Sequence, residues 1–369
     1  MYVPVLKNRK EEMKVLKDLN YCFGDDIIPL IEIINDFYLE RFKMDEETGM
    51  PIKVIKEGNK RATKVKLEPT QEDIITIDLF LSILNGKKAF IDYFRYSSNE
   101  YEKNVNIEDV KLARRLSEDY FEYKNRILDL SNYNTLIPVL SFKGNFPFDE
   151  DLVKLVQTSN AIIGLRIRDS IIYDCLERLP NLLRENDYLI FDIGNNNINS
   201  KVMEIEEIIN LNLNCKKIII NCQRNPKMKN GEFPDCSKTM SMDTSLIINY
   251  RAKGFDGFGD YCGYKDALPL VSRTRGEGAA LAILYNFSDN SFYSFVNYQT
   301  KDGLRGYYNV VQKIFDYCPN VMGNYDNCPA FNKIRRFGIG KTKYGTWGNW
   351  NNIAMTRYIS QIFENKKAI

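Results

Sequence analysis

The sequence predicts an α/β fold, a (β/α)8 TIM-barrel-like arrangement with an inserted β-hairpin after strand 2 and a C-terminal extension. Three observations predict it. Short β-branched runs recur through the first 268 of the 369 residues, and each is apolar along its length, as strands covered on both faces are. A stretch with helical spacing follows nearly every run, which calls for a parallel sheet wrapped by helices. Finally, eight such units can be counted, which favours closure into a barrel over the runner-up, a doubly wound open sheet.

The elements follow in order. Tyr2 to Lys7 reads as a strand, and Arg9 to Leu19 as a helix with Met13, Leu16 and Leu19 on one face. Ile27 to Ile34 is the second strand, Asp73 to Leu84 a helix and Lys88 to Phe94 the third strand. A charged helix from about Glu108 to Leu130 precedes the strand Leu136 to Phe142, and a helix around Leu152 to Val156 precedes the strand Ile162 to Ile167. Ile171 to Leu183 reads as helix, Tyr188 to Ile193 as strand, Val202 to Leu211 as helix and Lys217 to Asn221 as strand. Met242 to Arg251 completes the helices, and Phe255 to Tyr261 is an eighth strand weakened by glycine.

Two segments exceed a minimal barrel. Residues 35–71 form a long excursion in which Pro51 to Ile55 and Thr63 to Leu67 flank Glu57-Gly58-Asn59 as a hairpin. Beyond Leu268, Ala279 to Phe287 and Ser291 to Tyr298 read as a further hairpin, followed by helices at about Leu304 to Tyr317 and Trp350 to Phe363. The division expected is therefore a barrel domain over 1–268 with the insertion 35–71, and an extension over 269–369 packed on it.

Composition narrows the chemistry. The chain holds no histidine, which removes Ser-His-Asp and Cys-His triads, HExxH zinc sites and every imidazole relay. Its 51 Lys+Arg against 49 Asp+Glu argue against wholesale nucleic-acid or membrane adhesion and leave room for a local basic patch. The eight cysteines include no CxxC pair, so they read as free thiols; Cys318 and Cys328 lack two further ligands for a metal. The short apolar start before Asn8-Arg9-Lys10 does not resemble an export signal, and no apolar run approaches the ~20 residues of a membrane span. A soluble, cytoplasmic protein without a membrane partner is expected.

Barrel enzymes keep their chemistry at the carboxyl ends of the strands. Lys7, Glu32, Asp92, Arg166, Asp192, Asn221 and Asp260 fall near such ends. Glu32, Asp92, Asp192 and Asp260 converging on one mouth could hold Mg²⁺ or Mn²⁺ through oxygen, with Lys7 and Arg166 on a phosphate. The competing reading, the stronger of the two, is that these charges form buried ion pairs and helix caps. In the excursion, Lys53, Lys56, Lys60, Arg61, Lys64 and Lys66 face only Glu57 between them, which suits phosphates, RNA or an acidic partner, although a solvated face explains such a run more often. The tail gathers Arg335, Arg336, Phe337, Lys341, Lys343, Tyr344 and both tryptophans, Trp347 and Trp350, a mixture that suits stacking, a protein interface, or packing on the barrel. Gly340-Lys341-Thr342 is no phosphate loop, because Arg335 stands where the earlier glycine is required.

The opening Tyr2-Val3-Pro4-Val5-Leu6-Lys7 with Glu11 or Glu12, then Ile28-Pro29-Leu30-Ile31-Glu32, resembles the start of the "beta protein" family. Phe258-Gly259-Asp260-Tyr261 is similar to its Asp-Tyr motif, and Cys328 with the stretch from Trp347 to Tyr358 to its closing region. The resemblance runs from end to end and implies a barrel-like α/β fold of undefined biochemical function, found in phages, prophages and bacterial mobile regions beside antiphage genes. Histidines common near the family's C-terminal motif are replaced here by Met355-Thr356-Arg357-Tyr358, so imidazole chemistry is not a shared requirement.

Three functional readings follow. The leading one is a protein of a phage-related or antiphage defence locus that acts through a protein encoded nearby or through nucleic acid, with no cofactor. The enzymatic alternative is a metal-dependent phosphodiesterase or nuclease on the four carboxylates, the only reading that calls for Mg²⁺ or Mn²⁺. The third is a nucleotide sensor with Arg166 or Arg168 on the phosphate and Tyr93 or Tyr261 on the base.

Overall fold

A computed structural model describes residues 1–55, 61–97, 101, 104–143, 146–271, 277–322, 328–338 and 344–368. Eight parallel strands close into a barrel: β1 (Tyr2–Lys7), β2 (Leu30–Ile33), β3 (Ala89–Tyr93), β4 (Leu136–Phe142), β5 (Gly164–Arg168), β6 (Tyr188–Asp192), β7 (Lys216–Asn221) and β8 (Gly257–Asp260). Each strand pairs with its neighbour in sequence, and β8 returns to β1 with Val3 opposite Gly259. Alternate residues fill the interior, among them Val3, Val5, Leu30, Phe90, Val139, Ile190, Ile218 and Ile220. The opposite face of the same strands packs outward on the helices, which is why the runs are apolar throughout.

The glycines that weaken the eighth strand as a sequence signal are what let it close the barrel. A Cβ on Gly259 would stand 2.5 Å from the Val3 carbonyl oxygen and 2.6 Å from Ile220 Cγ2, so no side chain fits where β8 passes between β1 and β7.

Helices differ from expectation in three places. The helix expected from Glu108 to Leu130 divides into Lys111–Glu118 and Tyr120–Asp129, because Asp119 is extended and its carboxylate accepts from Glu122 N at 2.9 Å as an N-cap. The stretch expected as helix from Ile171 to Leu183 is two 3₁₀ turns and a single helical turn, Leu179–Leu182, with Pro180 as its second residue. A helix over Pro329–Gly338, not expected, occupies part of the tail; Phe331 and Ile334 give it a buried face.

The insertion is a finger whose short antiparallel ladder pairs Lys53–Val54 with Thr63–Lys64; its expected turn lies outside the described residues. The C-terminal hairpin forms as expected, β9 (Ala280–Asn286) against β10 (Ser291–Asn297). The last helix, Trp347–Glu364, is buried almost without interruption from Trp350 to Ile362, because it lies between the barrel and the tail's own core. Thr346 caps it in a reciprocal box with Asn349, and Asn352 ties it to the Glu11 carbonyl at 2.9 Å. Among the described residues no helix is long and apolar enough to cross a membrane.

Candidate functional site

Strand alternation decides which of the strand-end charges meet. Lys7, Glu32, Asp92, Arg166 and Asp192 continue the interior rows begun by Val5, Leu30, Phe90, Gly164 and Ile190, so all five point into the C-terminal end of the barrel. Asp260 has the other parity, since Gly259 and Tyr261 take the inner positions of β8. The expected convergence of four carboxylates is therefore a convergence of three.

Those three surround a guanidinium. Arg166 Nη1 donates to Glu32 Oε1 at 2.7 Å and to Asp92 Oδ2 at 2.9 Å, while Nε and Nη2 reach Asp192 Oδ2 at 3.0 and 2.7 Å. Lys7 holds the other Glu32 oxygen and Asp266 Oδ1, the latter at 2.8 Å; Arg168 takes Asp192 Oδ1 at 2.7 Å. Tyr261 donates its hydroxyl to Glu32 Oε1 at 3.1 Å and accepts from Arg166 Nη2 at 3.0 Å. The core of the network is buried, with Lys7 and Glu32 at 0% exposure, Asp92 at 1%, Asp192 at 2% and Arg166 at 3%.

Burial raises the cost of ionising Glu32 and Asp192, but Lys7 and Arg166 around the first and Arg168 and Arg166 around the second outweigh it, so both carboxyls are held below their ordinary range. Asp92 goes the other way. Burial dominates there, Arg166 is its closest cation, and its Oδ1 has no hydrogen-bond partner among the described residues. No group of three or more Cys, Asp or Glu side chains among the described residues is arranged to hold a metal ion. The physical reason is that the Arg166 guanidinium sits at the point the carboxylate oxygens share.

On the outer face, Asp260 Oδ1 accepts from Tyr2 OH at 3.0 Å and Cys262 N at 2.8 Å, and Oδ2 accepts from Gln223 Nε2 at 3.1 Å and from Tyr358 OH. It joins the barrel to the last helix. Asn221 is also buried with outward parity, and its side-chain amide has no hydrogen-bond partner among the described residues. Of the tyrosines considered for a base, Tyr261 is part of the ion network, whereas Tyr93 lies on the outer face of β3 beside Arg126.

The network's outer boundary is a cavity of about 390 Å³ lined by Arg168, Asp266, Tyr101, Lys227 and Cys222. A second cavity, of about 320 Å³, lies between the loops after β7 and β8 and the C-terminal layer. Sequence reasoning missed Asp266 and Arg224, which sit in those loops, and Ser141, an inward β4 residue that donates to Asp92. Ser141 alone had a readable signal, as the next inward position after Ile137 and Val139.

On the finger, Lys53, Arg61 and Lys64 are exposed, Lys64 with its ammonium 4.8 Å from the Phe42 ring centre, and Lys66 pairs with Glu40. Lys56 and Lys60 lie outside the described residues. The same finger exposes Leu39, Met44, Met50, Val54, Ile55 and Leu67, with Met50 and Ile55 each 69% exposed. In the tail, Arg336 is exposed and half-buried Arg335 reaches Asn332 Oδ1 at 3.3 Å; Lys341 and Lys343 lie outside the described residues. Trp350 is buried, stacked on Tyr307 at 4.7 Å between ring centres, and gives its indole N–H to the Tyr344 carbonyl at 2.9 Å. Trp347 is half-buried with its ring centre 5.4 Å from that of Tyr307. Packing and cavity lining thus fall to the same two indoles.

Comparison with known proteins gives one family: the model described as Beta protein matches residues 2–364, nearly the whole chain. No curated protein matches it.

Proposed function

The chain belongs to the Beta protein family, and from that premise we propose that it works as a binding protein, its finger docking a protein partner encoded in the same phage-related or antiphage locus. The observation that carries this reading is the apolar surface of residues 39–67. Six large apolar side chains stand in solvent there on a projection whose ladder strands are two residues long. Such a concentration is costly on a free surface and is what an interface covers. Lys53, Arg61 and Lys64 beside it supply a cationic rim suited to an acidic partner surface.

The metal-dependent phosphodiesterase has less in its favour, since Glu32, Asp92 and Asp192 each give one oxygen to Arg166, Glu32 and Asp192 give the other to Lys7 and Arg168, and Asp260 faces the last helix. Nucleic acid remains the second class of partner the finger cations suit. The test is copurification of the tagged full chain from its native host, with and without Met50→Asp and Ile55→Asp. A stoichiometric protein lost in the double variant supports the proposal. A chain that emerges alone, or with nucleic acid released by salt, refutes it.

A further inference from the structure

The second cavity has a composition unlike the rest of the interior. Arg9, Arg224 and Lys265 line it together with Tyr264, Trp347 and Trp350, and no carboxylate lines it among the described residues. Arg224 is the unusual member. It is 5% exposed, its Nη2 donates to Asn230 Oδ1 at 2.9 Å and its guanidinium lies 4.8 Å from the Phe233 ring centre, yet its Nε has no hydrogen-bond partner among the described residues. Lys7, Arg166 and Arg168 are each paired with carboxylates; Arg224, like buried Arg357 of the last helix, has none within ion-pair distance among the described residues, and of these two Arg224 is the one that lines this cavity.

An arginine does not escape such a deficit by losing its proton under ordinary conditions, and an uncompensated buried charge is among the costliest groups a fold can carry. Burial lowers the Arg224 pKa to about 10, which still leaves it charged at neutral pH. A missing counter-ion is therefore built into the wall. The neighbouring cations reinforce it in different ways. Arg9 gives Nε to Glu12 and Nη1 to the Ala267 carbonyl at 3.2 Å, with the Tyr264 ring centre 4.8 Å from its guanidinium. Lys265 holds the Pro226 and Met228 carbonyls at 2.9 and 2.7 Å, so it adds charge while staying fixed by the loop.

We propose that this cavity binds a small organic phosphate with a planar ring, of mononucleotide size, its phosphate on Arg224 and Arg9 and its ring against the tryptophan wall. About 320 Å³ falls at the small end of ligand cavities, which suits one nucleotide and not an oligonucleotide. Arginine presents a rigid fork matched to phosphate oxygens, and the half-buried Trp347 indole supplies the aromatic surface for a ring, Trp350 behind it being stacked on Tyr307. The site is separate from the carboxylate network and independent of the finger.

The chain supplies its own reporter, since its two tryptophans both line the cavity. Full-length protein is titrated with AMP, UMP, adenosine and inorganic phosphate, following tryptophan fluorescence and heat. The expected result is saturable quenching by a mononucleotide, with adenosine and inorganic phosphate each at least about tenfold weaker. Arg224→Met should weaken nucleotide binding at least about tenfold and leave the ligand-free chain as stable as the parent or more so, because it removes an unpaired buried charge. Trp347→Leu, at a half-buried position, should weaken AMP without changing inorganic phosphate, and stands in if Arg224→Met does not fold. Absence of saturation by any mononucleotide at millimolar concentration, inorganic phosphate binding as tightly as AMP, or unchanged AMP binding in both variants would overturn the proposal.

Discussion

Replacing Asp260 with asparagine should alter the pH dependence of folding in a way that can be calculated. The carboxyl is buried between β8 and the last helix and accepts four hydrogen bonds, from Tyr2, Cys262, Gln223 and Tyr358. Burial pushes its pKa up from 3.8 to about 6, with the Tyr358, Cys262 and Tyr2 bonds pulling against that rise. A carboxyl whose folded pKa exceeds its unfolded one binds its proton more tightly in the folded chain. Its contribution is fully present below pH 3.8, declines as pH rises, and is gone above about 6. The interval of about 2.2 pH units, at 1.36 kcal/mol per unit, is about 3 kcal/mol. Urea unfolding of the parent and Asp260→Asn across this range isolates it, because the other carboxylates titrate alike in both chains and cancel in the difference. The parent should lose about 3 kcal/mol relative to the variant between acid and neutral pH. A flat difference would refute the burial argument. A difference of opposite slope would show that the four donors outweigh burial and hold the carboxylate ionised.

Three further outcomes follow from the same geometry. Arg166→Met would strip Asp92 of its ion-pair partner and leave Glu32 to Lys7 and Asp192 to Arg168, and should cost about 3–5 kcal/mol, read in urea unfolding; Arg166→Lys, a point charge without the fork, should recover only part of it. Gly259→Ala forces a Cβ against the Val3 carbonyl and Ile220, and should lower the unfolding free energy by about 3 kcal/mol through the β1/β8 seam. Met50→Asp with Ile55→Asp should change stability by less than about 0.5 kcal/mol while removing the copurifying protein, because both side chains already stand in water.

The strands were legible because burial on both faces leaves continuous apolar runs, and Tyr2–Lys7 and Leu136–Phe142 agree with expectation to the residue. The candidate site was legible only as far as the strand ends. Position along a strand places Lys7, Glu32, Asp92, Arg166, Asp192 and Asp260 at one end of the barrel, but the inward face depends on register. In β8 the inward residues are glycines, so Phe258-Gly259-Asp260-Tyr261 offers no apolar alternation to read. The break at Asp119 was readable in principle, since Asp119-Tyr120-Phe121-Glu122 has the cap spacing. Pro329 followed by Phe331 and Ile334 likewise marks a helix start and its buried face. Arg224 and Asp266 were not readable: they lie in loops, where side-chain placement follows from what the barrel brings near them and not from periodicity.

The missing histidine takes its meaning from where the charges lie. Inside the mouth, Lys7, Arg166 and Arg168 pair with Glu32, Asp92, Asp192 and Asp266, buried Lys143 adds a fourth cation acting on Glu32, Asp92 and Asp266, and Asp92 is the member pushed toward its neutral form. That set is closely paired, with Lys7, Glu32, Asp92, Asp192 and Arg166 buried and Arg168 and Asp266 facing the cavity of about 390 Å³, so its groups fix one another in place. Acid–base catalysis needs a group that can exchange a proton with a reacting molecule and reach it. Glu32, Asp92 and Asp192 are buried behind Arg166 and Arg168, and the chain has no imidazole, the side chain whose unperturbed pKa lies nearest neutrality. Among the described residues, Arg224 in the adjacent cavity and Lys53 and Lys64 on the finger rim have no carboxylate within ion-pair distance. Buried Arg357 in the last helix also lacks a carboxylate within ion-pair distance among the described residues, with its Nη1 and Nη2 unpartnered there, so the interior is not neutralised throughout; Arg224 differs from it in lining a cavity that an incoming anion can enter. Uncompensated positive charge is left where an incoming anion or acidic surface can reach it, which is the distribution a binding protein requires.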